Sequence, residues 1–97
     1  MDRSQFIQLL ARFDFGSVFS PAVLERGLDY VDSGRVVEKD YRTENSAGVL
    51  FGLVQGNSVD PYRCGFRLLP QGRRATADTY CSCPVGGNCK HVAALVL

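Results

Sequence analysis

Three of the four cysteines and the only histidine of this chain fall in one short stretch, YCSCPVGGNCKH, Tyr80–His91. Its pattern is Cys81-x-Cys83, five intervening residues, then Cys89-x-His91. Four soft donors are what a closed tetrahedral zinc site takes, thiolate sulfur at about 2.3 Å and imidazole nitrogen at about 2.0 Å. Residues i and i+2 of an extended segment point to one side, so Cys81 and Cys83 can reach a single ion together. Pro84–Asn88 is turn-forming, and Gly86 and Gly87 allow the reversal that returns the second pair. In a helix, i and i+2 lie about 200° apart. Cys89 is therefore expected to precede or cap a helix, with His91 in its first turn, where the positive helix end favours the thiolate. Spacing alone leaves a disulfide, a redox pair or unrelated core cysteines as alternatives. Cys81 and Cys83 are too close for an easy disulfide, and a disulfide would leave His91 unexplained. Cys64 alternates with Tyr62, Phe66 and Leu68 and reads as a small buried hydrophobe outside the ligand set.

The segment before the cluster changes period once. Phe6, Leu9, Leu10 and Phe13 recur at helical spacing, with Asp2 or Ser4 as the cap. A second helix is announced by Ser20 at its N-cap and Pro21 at its first position, with Gly34 placed to end it. Gly27 inside that helix implies close approach by another backbone or a ring. After Gly34 the pattern is extended: RVVEKDYRT, then AGVLFGLVQG, apolar on both faces as a central strand is, then PYRCGFRLL and ATADTYC, separated by turn residues. Gly52 marks a bulge or a close neighbour. The predicted class is α+β: two N-terminal helices, a four-stranded antiparallel sheet, then a zinc-binding loop leading into a C-terminal helix. A single domain is expected, with residues 1–34 helical, 35–80 the sheet and 81–97 the metal-binding part. The zinc is expected to act locally on residues 80–97. The apolar run that closes CKHVAALVL has no stop signal, so the chain reads as a piece of a longer protein. Leu95–Leu97 must then bury against the sheet or against a later segment of the parent chain.

The chain has 97 residues, 45% hydrophobic and 22% charged, which argues against disorder. It has no apolar run of the roughly 20 residues a membrane span requires, and the N-terminus lacks a signal peptide's unbroken apolar region. A cytoplasmic location is expected, where thiols stay reduced. Residues 35–97 carry eight Lys/Arg against five Asp/Glu, while residues 1–34 carry three against five. This mild basic bias permits a phosphate-facing surface.

The stretch YCSCPVGGNCKHVAAL resembles the SWIM zinc finger, whose pattern is Cys-x-Cys, a variable gap, then Cys-x-His. RGLDYVDSGRV and the sheet after it are similar to the segment preceding that finger in bacterial Swi/Snf-type helicase-like ATPases. The resemblance implies one structural zinc on Cys81, Cys83, Cys89 and His91, with DNA or a protein as partner.

Four protein ligands fill a zinc shell, whereas a catalytic zinc keeps a position open. The cluster holds no acidic residue, and the chain lacks the G-x-x-x-x-G-K-[ST] phosphate loop and the deaminase signature. No catalysis and no small-molecule substrate are expected of these residues; a motor would lie elsewhere in a longer chain. Arg63, Arg67, Arg73, Arg74 and Lys90 are the candidate nucleic-acid contacts. The alternative is a protein-contacting or scaffolding module that uses the apolar end of the last helix.

Overall fold

The computed structural model describes residues 2–72 and 74–97, so the candidate Arg73 lies outside the described residues. Helix α1 is Arg3–Arg12, followed by a short 3₁₀ turn at Phe15–Ser17, and α2 is Pro21–Asp32. Strands β1 Val36–Glu44, β2 Ala47–Val54, β3 Tyr62–Gln71 and β4 Arg74–Cys81 come next, and α3 is Lys90–Val96. The α+β class is as expected; the 3₁₀ turn is an addition to it.

Local chemistry sets the ends of the helices. Asp2 caps α1 through a reciprocal pair: its carboxylate accepts from the Gln5 N–H at 2.8 Å, and the Gln5 side chain accepts from the Asp2 N–H at 3.0 Å. Ser20 Oγ accepts from the Val23 N–H at the start of α2, with Pro21 next. Gly34, at φ +70°, reverses the chain at the other end, and the Arg35 N–H donates back to the Tyr30 carbonyl.

The sheet is an antiparallel meander in the order β1-β2-β3-β4. Leu50, Phe66 and Thr79 align across β2, β3 and β4, as do Gly52, Cys64 and Cys81 one pleat further on. These rows belong to the inner face, where Leu50, Val54, Cys64, Phe66 and Leu68 are buried. Phe13, Phe15 and Phe19 gather around Phe66, with ring centroids 5.6, 5.9 and 6.4 Å away. Gly52 has the close neighbour expected of it: a Cβ there would collide with the Glu38 carbonyl, next to the irregularity that β1 carries between Val36 and Glu38.

Helix α3 lies between the sheet and α2. Every residue from His91 to Val96 is buried, as a helix apolar all round must be. Gly27 is what lets α2 approach: a Cβ there would sit 2.7 Å from the Ala93 Cβ and 2.9 Å from the Ala94 nitrogen. The part after the cysteines is packed into the core: Val92, Ala93, Leu95 and Val96 share one apolar cluster with Phe19, Leu50, Val54 and Phe66, which gives the metal a route to act beyond residues 80–97. This packing also answers what covers the end of the chain: Leu95 and Val96 bury against this domain's own core, and only Leu97 is substantially exposed.

Candidate metal centre

The centre is assembled from three places. Cys81 is the last residue of β4, Cys83 follows in the turn, and Cys89 is the N-cap of α3 with His91 in its first turn. All four are buried, and their donor atoms lie within 4.8 Å of one another. His91 presents Nδ1, 3.7 Å from Cys81 Sγ and 3.6 Å from Cys89 Sγ. A tetrahedron with standard zinc bond lengths has sulfur–nitrogen edges of about 3.5 Å and sulfur–sulfur edges of about 3.8 Å. The donors therefore already stand near the spacing of a zinc shell, and the cluster is able to bind one zinc ion.

The loop between the two pairs is held by specific contacts. Gly86, at φ +84°, takes the reversal, and its N–H donates to the Cys83 carbonyl at 3.0 Å. Gly87 serves differently: it has no left-handed φ, but a Cβ there would collide with Thr79. Thr79 Oγ1 accepts from the Asn88 N–H at 2.8 Å and donates to the Asn88 side-chain oxygen. Ser82 is tied to β3 twice, its N–H donating to the Arg63 carbonyl and its Oγ accepting from the Arg63 N–H, each at 3.0 Å.

His91 is oriented by rings. Tyr62 lies 4.7 Å and Tyr30 5.5 Å from it, centroid to centroid. Gly56 completes the pocket, since a Cβ there would press on Tyr62 and stand 3.0 Å from His91 Nε2. Gly56, Tyr30, Thr79 and Ser82 carry no site signal in the sequence. The GN pair at Gly56–Asn57 reads only as turn chemistry, and nothing local says which side chain a turn will face.

Burial dominates the protonation of the site. It pushes the Cys81 thiol well up and raises Cys89, and it lowers His91, which Lys90 lowers further. For Cys83 burial is outweighed by hydrogen bonding from Cys81 and from the backbone at Gly86 and Val85, and the net shift is downward. The expected help from the helix end is present at Cys89 as backbone N–H groups of Val92 and His91, but burial prevails over it. A metal entering this site must displace thiol protons, as zinc does.

Cys64 faces Cys81 across the β3–β4 ladder, its Sγ 3.5 Å from that of Cys81. It lies outside the four-donor cluster, and burial pushes its thiol up to about 11.

The basic residues do not form one patch. Arg63 and Arg67 lie on the outer face of the sheet. Arg67 is paired with Glu44 at 3.6 Å and Asp78 at 3.4 Å. Arg74 opens β4 at the other end, beside Arg12, Phe13 and Asp14. Lys90 sits on the α3 side, its Nζ 5.2 Å from the Tyr30 ring, which Arg35 also approaches at 5.0 Å.

A soft four-donor cluster, closed by protein side chains and set where a strand hands over to a helix, defines a metal-binding module. Residues 60–97, which span β3, β4, the loop and α3, match the family model of the SWIM zinc finger. The SWIM zinc finger is a structural binding module rather than a catalytic one. No curated protein and no solved structure matches the chain. Among the described residues no helix is long and apolar enough to cross a membrane.

Proposed function

We propose that this domain is a zinc-ordered accessory module that gives a helicase-like ATPase a contact with nucleic acid, the motor lying elsewhere in a longer chain. In this reading Cys81, Cys83, Cys89 and His91 are the metal ligands, and residues 1–97 act as one unit. The zinc, when bound, supplies no reaction; it fixes the β4–α3 connection. The site of three thiolates and one dication is net −1, so contact with phosphate falls to the sheet and not to the metal.

The observation that carries the reading is the uncovered outer face, where Arg63 and Arg67 stand near Tyr80, itself 58% exposed. Arg67 is already engaged by two carboxylates, so few phosphates are contacted. Affinity belongs at the weak end of the nonspecific range, about 10⁻⁴ M at physiological salt. The protein-contacting alternative rests on the apolar end of the last helix, where Leu95 and Val96 are buried within the domain and Leu97 alone of the three is exposed. Titration with short duplex and single-stranded DNA at about 50 mM salt tests the proposal. Binding that tightens as salt falls, and that Arg63→Gln weakens equally for all sequences, supports it. Absence of binding to either form at low salt ends it.

A further inference from the structure

The outer face of the sheet carries a groove of about 660 Å³. Across its middle the ladder aligns Phe51 of β2, Gly65 of β3 and Tyr80 of β4 in one row. Two rings on strands either side of a glycine leave a gap in the sheet surface. Strands are spaced about 4.8 Å apart, so the strands that carry the two rings lie roughly 9.6 Å apart with only Gly65 between them in the row. A flat ring seated midway would be about 4.8 Å from each, within the range at which aromatic rings stack.

Gly65 is there for no backbone reason. Its φ is not left-handed, and a Cβ would meet nothing closer than the Leu50 carbonyl at 3.9 Å. What the glycine provides is the opening. Its two boundaries differ. On one side runs the row Arg42, Val49, Arg67 and Asp78, closed by the Arg67–Asp78 pair and by Arg42 and Arg67 on Glu44, with the Arg42 guanidinium also 5.1 Å from the Phe51 ring. On the other side are Leu53 and Arg63, with Glu38 across β2. Arg63 is exposed and has no ion pair among the described residues.

We infer that this slot takes one unpaired base of a single-stranded nucleic acid, stacked between Phe51 and Tyr80, with its phosphate on Arg63. The inference rests on the nucleic-acid reading above and narrows it. The slot is one side-chain row wide, which suits a flat ring. A helix would need an apolar stripe where the ionic row stands. A peptide strand would add at a sheet edge, not on a face. Glu38 repels phosphate from the β1 side and leaves the β3–β4 side, where Arg63 stands beside Tyr80. One unpaired arginine means about one phosphate neutralised and a shallow salt dependence, a log–log slope near −0.7.

The probe is a short oligothymidylate, followed by amide NMR and by affinity in the zinc-loaded protein. Gly65→Leu fills the slot, and Tyr80→Ala removes one wall while adding no bulk. Zinc content and melting temperature confirm that each variant is folded. The expected result is movement of the Gly65 and Tyr80 signals and a loss of affinity of about 10-fold or more in either variant, as removal of a base–aromatic stack produces. If Gly65→Leu binds oligothymidylate as tightly as the unaltered chain, the slot is wrong and the strand lies elsewhere on the protein. Duplex binding without oligothymidylate binding also overturns the slot, yet leaves the broader reading standing. No binding to either form overturns both.

Discussion

Cys64 is the residue that most tests how the ligands are chosen. It is buried, it lies 3.5 Å from Cys81, and it is as soft a donor as the other three cysteines. The donor set separates them: Cys81, Cys83, Cys89 and His91 bring their donor atoms within 4.8 Å of one another, while Cys64, near the start of β3 on the inner face, stands beside Cys81 but outside that cluster. Cys64→Ala is therefore expected to keep its zinc and to lose on the order of 1 kcal/mol through a small cavity. Elemental analysis and denaturant unfolding check the two halves separately, and loss of metal would move Cys64 into the ligand set. The four donors themselves are legible in the sequence, since soft side chains so close together have few other uses. The residues that aim them are not. Strand alternation places Tyr62 inside, and it is half-buried against His91. Gly56 and Tyr30 reach the same ring from places that no local pattern connects to it.

At the scale of elements, the packing of α2 on α3 decides stability. Helix propensity taken alone favours Gly27→Ala by about 1 kcal/mol. The contact geometry opposes it, because the added methyl would meet Ala93 and the Ala94 backbone at under 3 Å, and backbone does not yield as a side-chain tip does. Overpacking of this kind costs about 1–3 kcal/mol, so the net effect is destabilising, with a fall in Tm of several degrees at roughly 4–8 °C per kcal/mol. A thermal melt that rises would show that the helices can part freely. Both N-terminal helices, their caps and all four strands are legible in the sequence, because caps, turn residues and periodicity are local. The central place of α3 is not. HVAALV is apolar on every side, so its pattern carries no information about which neighbours surround it. Pairing Phe51 with Tyr80 across Gly65 is equally hidden, for that alignment depends on how the loop at residues 55–61 and the β3–β4 turn set the register.

The whole molecule is organised around the element that the metal site anchors. Phe19, Leu50, Val54, Phe66 and Leu95 form one cluster, so a disturbance at the start of α3 enters the core directly. Removing zinc with a chelator is expected to move the amide signals of α3 together with those of Gly27, Leu50 and Val54, and to lower the midpoint of unfolding. Shifts confined to residues 80–97 would instead describe a detachable finger on a self-sufficient core. The Cys/His pattern makes the metal legible but not its reach, since a stretch of twelve residues looks local until the helix that follows is seen between two layers. The most direct measurement is the zinc content of the chain purified without chelator, with His91→Ala beside it. About one equivalent is expected in the first, as a closed four-ligand site holds, and marked loss in the second. A folded chain with no zinc, or a His91→Ala chain that retains a full equivalent, would contradict the four-ligand centre.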